Sequence, residues 1–483
     1  MWNPNDGIPG FGGHLSYGMS EGTTWTGAEA AAEPQAPATA RPRVGVVLAA
    51  GRSERLAGVT GGGSKALVRV GGLALVERAV RTLLAAGLER VVVVVGYQAG
   101  PVAAVVDRLA PGRVRAVFAE SWELGNGASL AAAESLVAEK GLFVLLTTDH
   151  VFGEGALEPL LFADRPGVLV DHAPDPDAWA EGMRVRLHDE QVIAFSKELG
   201  DPSIDCGAFM LSTAIFDAQR RAQARGEASL AAAVTELARE QPLAAVPLPP
   251  GHWWQDVDTP EDLRRAAARL RRSLTKEADG PVSRHLNRPV STRVSMALAH
   301  MPIHPDVVSL TAFLLGVVAA WLLASGRGIA GWILAQLASI LDGVDGEIAR
   351  LQVRAGPGGA LLDGVLDRLA DAAFVGGLAL WALDAGTDPG LVTALAVAAT
   401  TGAMLSMATK DRIAALGVPP LPERWIGFLL GGRDARLLIV AIGALLGRPA
   451  ATLVVLIATS ALSLAVRLLL ARSTLRGAWP GPR

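Results

Sequence analysis

The sequence predicts an α/β doubly wound domain followed by an all-α polytopic membrane domain of six transmembrane helices. Before residue 270, short apolar runs typical of strands buried on both faces alternate with helical stretches. From about Val307 onward, longer apolar runs dominate instead. The mean hydropathy of +0.34, with 51% hydrophobic residues, is high for a wholly soluble protein. A soluble part followed by a membrane part explains all three observations.

The overall composition excludes several classes of protein. The 483 residues carry a formal net charge of −3, so the totals do not indicate nucleic-acid binding. Cys206 is the single cysteine, which excludes an intrachain disulfide and a cysteine-based zinc site. Residues 1–42 are rich in Gly, Ala, Pro, Thr and Ser and lack the features of a signal peptide. We expect them to form a disordered leader.

The α/β domain is predicted at residues 43–270. A helix is expected near Ala74–Ala86 and another from Pro260. In such sheets, ligands bind at the carboxyl ends of the strands. The predicted strands are Val44–Leu48, Val91–Val95, Leu142–Leu146 and Val168–Val170.

Residues 271–300 are basic and amphipathic. Arginines at 271, 272, 284, 288 and 293 stand among apolar positions. This pattern leaves two alternatives open, a solvated linker and a juxtamembrane helix that lies on anionic headgroups.

The membrane domain is predicted at residues 301–475. Its apolar spans lie near 307–325, 328–341, 369–386, 390–408, 435–447 and 450–470. The second and fifth are shorter than the ~20 residues of a full crossing, so we expect flanking polar turns to extend them. Lys and Arg concentrate in alternate loops, which places both termini, the soluble domain and the second–third loop in the cytoplasm. The sequence therefore predicts a multi-pass protein of the cell (inner) membrane with both active sites cytoplasmic.

Four aspartates in this membrane domain stand at helical spacing. Asp342 and Asp345 lie one turn apart, as do Asp363 and Asp367, and a turn containing Gly356-Pro357-Gly358 separates the pairs. Four carboxylates at a membrane boundary need compensating charge, which two Mg²⁺ or Mn²⁺ ions would supply. Two such metals can clamp a phosphoryl group under attack. The alternative is a set of helix-capping or solvated aspartates.

The aspartates and the interleaved Gly346, Ala349, Arg350 and Gly359 resemble the motif of the CDP-alcohol phosphatidyltransferase family. The resemblance covers roughly residues 284–470. It implies that the aspartates bind two metals, that Asp367 is the base, and that the interleaved residues bind the nucleotide. One departure is Pro305-Asp306 followed by Ser309, where many relatives have Pro-Asn followed by Thr.

A second group of motifs lies in the α/β domain. The first strand runs into a Gly-rich turn of the kind that binds phosphates through backbone N–H groups. Asp149 follows the strand Leu142–Leu146, and Asp256 and Asp258 precede a helix, which are natural positions for metal ligands. The phosphate- and nucleotide-binding candidates are Leu48, Ala50, Gly51, Arg52, Arg55, Lys65, Asn126 and Ser129.

Together these motifs resemble the sugar-phosphate nucleotidyltransferase family across residues 43–270. The resemblance implies that the turn and Lys65 hold a nucleoside triphosphate, that Lys65 and Arg55 are catalytic, and that Asp149 and Asp256 hold one or two Mg²⁺ ions. Asp258 competes with Asp256, which we favour because it follows the tryptophan pair. Ser53 stands where the family usually has Gly. We interpret His150 and His172 as ordinary loop residues.

One domain therefore makes a nucleotide-activated alcohol and the other consumes a CDP-alcohol, so the nucleotide is expected to be CTP. This arrangement resembles the family of bifunctional inositol-1-phosphate cytidylyltransferases and di-myo-inositol phosphate phosphate synthases. The resemblance implies that CTP and inositol-1-phosphate give CDP-inositol, whose phosphoinositol group passes to a second inositol-1-phosphate.

Further candidates and alternatives complete the prediction. Lys197 and Asp205 are candidates for the inositol-phosphate pocket. Lys410 and Arg412 are candidates for the acceptor phosphate, or else charges that set topology. A lipid or another polyol phosphate as acceptor, spans that merely anchor the soluble domain, and a homodimer through the membrane domain all remain open.

Overall fold

The computed structural model describes residues 42–52, 55–137, 141–276, 279–416 and 432–478. All of them belong to one compact unit that begins at Ala40. The predicted leader, apart from residue 42, and Ser53 lie outside the described residues.

The strands of the described residues all lie before residue 257. They are β1 Val44–Ala49, β2 Arg69–Val70, β3 Leu73–Ala74, β4 Arg90–Val95, β5 Val114–Phe118, β6 Leu142–Thr147, β7 His150–Phe152, β8 Gly167–Asp171, β9 Arg184–His188, β10 Gln191–Ser196, β11 Ile204–Ser212, β12 Ala244–Pro247 and β13 Trp254–Asp256.

The helices are short in the first half of the chain and long in the second. Three 3₁₀ turns lie at Lys65–Leu67, Trp122–Leu124 and Ala131–Ala133, and one π-helical turn lies at Ser283–Asn287. The α-helices are α1 Ala57–Thr60, α2 Leu75–Ala85, α3 Ala99–Val106, α4 Asn126–Leu130, α5 Glu134–Val137, α6 Glu158–Leu161, α7 Pro176–Glu181, α8 Ala214–Ala224, α9 Leu230–Ala238, α10 Pro260–Ser273, α11 Arg288–Leu298, α12 Pro305–Ala324, α13 Gly328–Leu351, α14 Pro357–Asp384, α15 Pro389–Ala415, α16 Arg433–Leu445 and α17 Pro449–Ala478.

The first domain is built on a nine-stranded sheet in the order β5-β4-β1-β6-β11-β8-β12-β10-β9. Strands β5, β4, β1 and β6 are parallel, as the apolar runs predict. The sheet as a whole is mixed, because β11 runs antiparallel to both β6 and β8. A strand buried on both faces has the same residue pattern in either direction, so the sequence did not reveal this reversal.

Apolar layers cover both faces of the sheet. Alternate residues of β1 point to opposite sides, so Val47 belongs to one buried cluster and Val46 to the other. Helices α2 and α3 cover the first face, and α8 and α9 cover the second. This is the doubly wound arrangement, and it leaves the carboxyl ends of β1 and β6 open for ligands.

The second domain contains six long helices, α12 to α17, that correspond one to one with the predicted spans. Three stretches are long and apolar enough to cross a membrane: Pro305–Ala324, Pro389–Ala415 and Pro449–Leu475. Helix α13 extends through polar turns to Leu351. Helix α16 has 13 residues and is therefore about 20 Å long, less than the ~30 Å of a bilayer core.

Large apolar side chains lie on the outside of this domain and small ones on the inside. On α12, Leu310, Leu314 and Trp321 are exposed, whereas Ala312 and Ala319 are buried. Helices that associate in a membrane pack through small residues and turn larger apolar ones toward lipid. The helical half thus has the surface of a membrane protein.

The segment between the domains is not a free linker. Within it, α11 packs on α13, where the fully buried carboxylate of Glu347 accepts hydrogen bonds from Arg288 Nη1 (2.5 Å), Ser291 Oγ (2.7 Å) and Ser295 Oγ (2.6 Å). Of the two predicted alternatives, the structure therefore favours a packed juxtamembrane helix over a solvated linker.

Candidate active sites

A cavity of about 570 Å³ opens at the carboxyl ends of β1 and β6. The Gly-rich turn after β1 forms one wall and the start of α4 forms another, because the parallel strands bring these segments to the same edge. The cavity gathers the predicted residues Leu48, Ala50, Gly51, Arg52, Arg55, Lys65, Asn126, Ser129 and Asp149, and it adds Trp122 and Glu123.

Lys65 is the buried cation of this cavity. Its Nζ lies 3.1 Å from Asp149 Oδ2 and also contacts Asp258, which in turn pairs with Arg55. Burial alone would lower the pKa of Lys65, but the charges of Asp149, Asp256 and Asp258 raise it above its usual value. Lys65 therefore stays protonated and can neutralise phosphate charge.

Asp149, His150 and Asp256 form a group of possible metal ligands, with one donor atom from each within 4.8 Å of the others. Strands β7 and β13 bring His150 opposite Asp256. The Oδ1 of Asp256 is buried and, within the described part of the chain, has no hydrogen-bond partner. Burial raises the pKa of Asp256 to about 6, and Asp149 adds to the effect. A buried oxygen without a partner fits a metal ligand.

The same geometry separates the two candidate carboxylates. Asp258 is engaged by Lys65 and Arg55, whereas Asp256 lies beside Asp149. The arrangement thus favours Asp256 as the partner of Asp149 in holding a metal.

His150 was expected to be an ordinary loop residue, but it lies on β7 inside this group. Its Nδ1 is 2.9 Å from Asp149 Oδ1 and 2.7 Å from Thr147 Oγ1, and its ring stacks on Trp254. Burial would lower the pKa of His150, but the charges of Asp256, Asp149 and Asp205 raise it to about 9. His172, in contrast, forms a hydrogen bond with Ser203 Oγ.

A second cavity, of about 490 Å³, lies on the other side of Asp256. Asp256 lines this cavity and Asp149 lines the nucleotide cavity, so the metal candidates stand between the two. Carboxylates, guanidinium groups and indole rings mix in its walls, which suits a polyhydroxylated phosphate. The side chains that line it include Asp171, Asp175, Glu181, Trp253, Trp254, Arg265 and Arg269.

The structure does not bring Lys197 and Asp205 together in one cavity. Asp205 is buried behind the metal candidates, where it accepts a hydrogen bond from the N–H of Gly207 (2.7 Å), and burial raises its pKa. Lys197 is exposed and lines a separate cavity of about 290 Å³ with Arg225 and Arg239. The expectation of a single pocket containing both residues is not met.

In the helical domain, α13 carries Asp342 and Asp345 and α14 carries Asp363 and Asp367. One oxygen from each of Asp342, Asp363 and Asp367 lies within 4.8 Å of the others. We call these three residues the acidic centre. The helical spacing predicted this convergence, and three carboxylates are a suitable donor set for a hard divalent cation.

Asp345 differs from the other three aspartates. It is buried and accepts hydrogen bonds from Ser309 Oγ on α12 and from the N–H of Gly346. Ser309 is one of the positions where the sequence departs from the family pattern. The fourth aspartate therefore lies outside the acidic centre and joins α13 to α12.

Arg433 on α16 lies against the acidic centre. Its Nη1 is 2.6 Å from Asp342 Oδ2 and also contacts Asp367. One turn later, Arg436 pairs with Asp371 of α14 at 2.5 Å. We did not predict these arginines as site residues, although charges within an apolar span are costly unless paired, and Arg433-Asp434-Ala435-Arg436 opens the fifth span.

The small residues beside the acidic centre leave space for a ligand. A Cβ added at Gly359 would meet nothing within 4 Å, and one at Gly346 would meet only Arg350 Nη1 at 3.5 Å. Ala349 is half-buried on the same helix. Arg350 itself donates from Nη2 to the carbonyl of Leu274 (3.3 Å), toward the first domain.

Lys410 and Arg412 are exposed on the last turns of α15. Between them in sequence, Asp411 pairs with Arg368 of α14 at 2.7 Å. Their predicted contact with an acceptor phosphate stays a prediction.

Family models match both halves of the chain. The description "MobA-like NTP transferase domain" matches residues 45–181, and "CDP-alcohol phosphatidyltransferase" matches residues 302–478.

Whole-chain relatives have the same two-part organisation. The chain is 40% identical to the "Bifunctional IPC transferase and DIPP synthase" of Rubrobacter xylanophilus, over 89% of this chain and 96% of that protein. It is 35% identical to the protein of the same name from Thermococcus kodakarensis, over 70% of this chain and 76% of that protein. Among solved structures, the inositol-1-phosphate CTP transferase from T. maritima matches 48% of this chain and 96% of its own at 22% identity, with a TM-score of 0.44.

Proposed function

Because the chain belongs to the family of bifunctional IPC transferases and DIPP synthases, we propose that it catalyses two consecutive reactions. In the first, CTP and inositol-1-phosphate give CDP-inositol and pyrophosphate. In the second, the phosphoinositol group passes to a second inositol-1-phosphate, CMP leaves, and di-myo-inositol phosphate phosphate forms. The observation that carries the proposal is the presence in one chain of a nucleotide cavity with its own carboxylate pair and a separate acidic centre between membrane helices.

The first reaction is assigned to the two cavities that flank Asp149 and Asp256. CTP lies in the cavity at the Gly-rich turn, where backbone N–H groups and Arg52 hold the phosphates. Lys65 neutralises charge as the phosphate oxygen of inositol-1-phosphate attacks the α-phosphorus and pyrophosphate leaves. Asp149 and Asp256, with His150 beside them, would hold Mg²⁺ or Mn²⁺, which supplies further neutralisation of phosphate charge when bound.

Inositol-1-phosphate is placed in the second cavity, on the side of Asp256. The carboxylates and indole N–H groups there can hydrogen-bond several hydroxyl groups, and Arg265 and Arg269 can approach the phosphate. The attacking oxygen would then lie next to Asp256, between the cavities. The substrate-binding contribution of Asp205 is indirect, through Gly207 and His150.

The second reaction is assigned to the acidic centre. Asp342, Asp363 and Asp367 would hold divalent cations, and Asp345 can contribute to a second ion only after releasing Ser309. CDP-inositol approaches along the open face at Gly346, Ala349 and Gly359. Asp367 accepts the proton of the attacking hydroxyl, whose oxygen bonds to the β-phosphorus as the bond to CMP breaks.

The helical domain is proposed to cross the cell membrane six times with both active sites on the cytoplasmic side. The apolar outer face of α12 and the three membrane-length stretches support membrane insertion. The concentration of Lys and Arg in alternate loops supports the orientation. This arrangement lets water-soluble CTP and inositol-1-phosphate reach both sites from one compartment.

The test uses membranes that contain the full chain, supplied with CTP, labelled inositol-1-phosphate and Mg²⁺. A water-soluble phosphodiester with two inositol units, identified by mass, is the expected product, with CDP-inositol as an earlier species. Label found only in the lipid fraction would replace the proposal with phospholipid synthesis. CDP-inositol as the end product would reduce the helices to an anchor.

A further inference from the structure

The carboxyl end of α13, the helix that carries Asp342 and Asp345, contacts the first domain directly. Arg78 on α2 is 4% exposed, and its Nη2 donates to the carbonyl oxygen of Leu351 at 2.9 Å. Arg81, one turn earlier in the direction of the interface, donates from Nη1 to the carbonyl oxygen of Gln352 at 2.8 Å. The last carbonyl groups of a helix have no partner within the helix, and cations near them are favourable. Two arginines of one domain thus cap a helix of the other.

A hairpin of the first domain is fitted into the same contact. Gly71 and Gly72 join β2 to β3 at φ values of +56° and +86°, where side chains are strained. A Cβ at Gly72 would lie 2.0 Å from the carbonyl oxygen of Ala299 after α11, and one at Gly71 would lie 3.2 Å from Leu351 Cδ2. The glycines therefore allow the hairpin to lie against the ends of both α11 and α13.

Arg78 joins these parts together. The same Nη2 that reaches Leu351 also donates to the carbonyl oxygen of Val70 in the hairpin at 2.9 Å. Around it, the side chain of Leu351 is buried in a cluster with Val70, Leu75 and Leu270. The end of α13 is thus held by hydrogen bonds and apolar packing that come from the first domain.

The contact lies close to the acidic centre along the helix. Leu351 is six residues beyond Asp345 and nine beyond Asp342, which corresponds to about 9 and 14 Å at the rise of an α-helix. A catalytic group performs well only within about 0.5 Å of its productive position. A shift or rotation at the end of α13 would therefore move Asp342 relative to Asp363 and Asp367 on α14.

We propose that Arg78 is a positioning residue for the phosphoinositol transfer. Although it belongs to the cytidylyltransferase domain, it holds α13 in the register that the acidic centre needs. The inference rests on the proposed function, because it assigns the second reaction to that centre. It means that the two domains are coupled by structure as well as by their shared intermediate.

The test replaces Arg78 by methionine, which keeps the length of the side chain and removes its donors. Membranes with the full-length variant receive CDP-inositol and inositol-1-phosphate directly, so the transfer does not depend on the first reaction. The first reaction is followed separately by pyrophosphate release. We expect the kcat of transfer to fall about tenfold or more and the Mg²⁺ concentration for half-maximal transfer to rise, with the first reaction within about twofold of wild type.

Two further variants sharpen the test. Arg78→Lys keeps a donor and should restore part of the transfer rate. Arg113→Met is the matched control, since Arg113 caps the carbonyl groups of Leu88 (2.9 Å) and Glu89 (3.0 Å) within the first domain alone. It should leave the transfer unchanged.

Gly72→Ala reaches the same contact by another route, by pushing the hairpin away from Ala299, and it decides the matter if Arg78→Met does not fold. Transfer with wild-type kcat and Mg²⁺ dependence in the folded variants would overturn the inference. A parallel loss of both reactions and of thermal stability would also overturn it, by indicating a general structural role. If the wild-type chain fails to transfer from supplied CDP-inositol, the proposed function fails instead.

Discussion

Replacing Asp367 by asparagine removes one negative charge from the acidic centre and nearly preserves its shape. The Asp367 carboxylate has an oxygen within 4.8 Å of oxygens of Asp342 and Asp363, and it contacts Arg433. The amide oxygen of asparagine can still accept a hydrogen bond from Arg433, so we expect the helices to stay in place.

The magnitude follows from two losses. A general base contributes about 10²–10⁴-fold to a rate, and the amide cannot take the proton of the attacking hydroxyl. The weaker charge also reduces cation binding, since unit charges about 4 Å apart at an effective dielectric of about 20 interact by about 4 kcal/mol. We therefore expect the transfer from CDP-inositol to fall by about 10³-fold or more.

The assay follows both reactions in one preparation. Asp367→Asn should release pyrophosphate from CTP at the wild-type rate while CDP-inositol accumulates and the diester product is lost. Asp384→Asn is the matched control, because Asp384 is exposed at the other end of the same helix, about 25 Å away. Transfer by Asp367→Asn at more than about a tenth of the wild-type rate would refute its role as base, since that leaves less than the smallest general-base contribution.

Three further substitutions test the remaining assignments. Lys65→Met should lower pyrophosphate release by about 10²–10³-fold and leave the transfer from supplied CDP-inositol unchanged; equal loss of both reactions would contradict its place in the first site. Gly207→Ala places a Cβ 2.6 Å from the ring of His150 at a φ of +72°, so the first reaction should fall and the domain should lose about 1–3 kcal/mol of stability, measured by thermal unfolding. Gly377→Ala places a Cβ 2.4 Å from a backbone oxygen of α12 and should destabilise the helical domain by about 1–3 kcal/mol. Gly376→Ala, next to it on α14, meets nothing within 4 Å and should be neutral or stabilising by up to about 1 kcal/mol; equal thermal midpoints for the two variants would contradict the packing.

The sequence predicted the strands of the first domain well where burial alone determines them. Val44–Leu48 was predicted and β1 spans Val44–Ala49, while Val91–Val95 was predicted and β4 spans Arg90–Val95. Both strands are apolar runs that end where polar residues or glycine begin. The direction of β11 was not predictable in the same way, because burial on both faces does not distinguish parallel from antiparallel neighbours.

Local spacing was also sufficient for part of each site. Asp363 and Asp367 share a helix face, so their convergence follows from sequence separation alone. The position of His150 depends on the pairing of β7 with β13, which lie about a hundred residues apart. The link from Asp345 to Ser309 joins two helices and likewise has no local signature. Sequence spacing indicated which side chains share a face, but not which element lies opposite.

The charges of the fifth span carry information that spacing on one helix does not. Arg433 and Arg436 are three residues apart at the start of α16, and Asp367 and Asp371 are four apart on α14. Each arginine pairs with one of these aspartates, so two charged faces of matching period lie against each other. Since unpaired charges within membrane helices are costly, such complementary pairs predict which helices touch. The same pairing accounts for the polar start of the shortest helix of the domain, because its charged end lies beside the acidic centre.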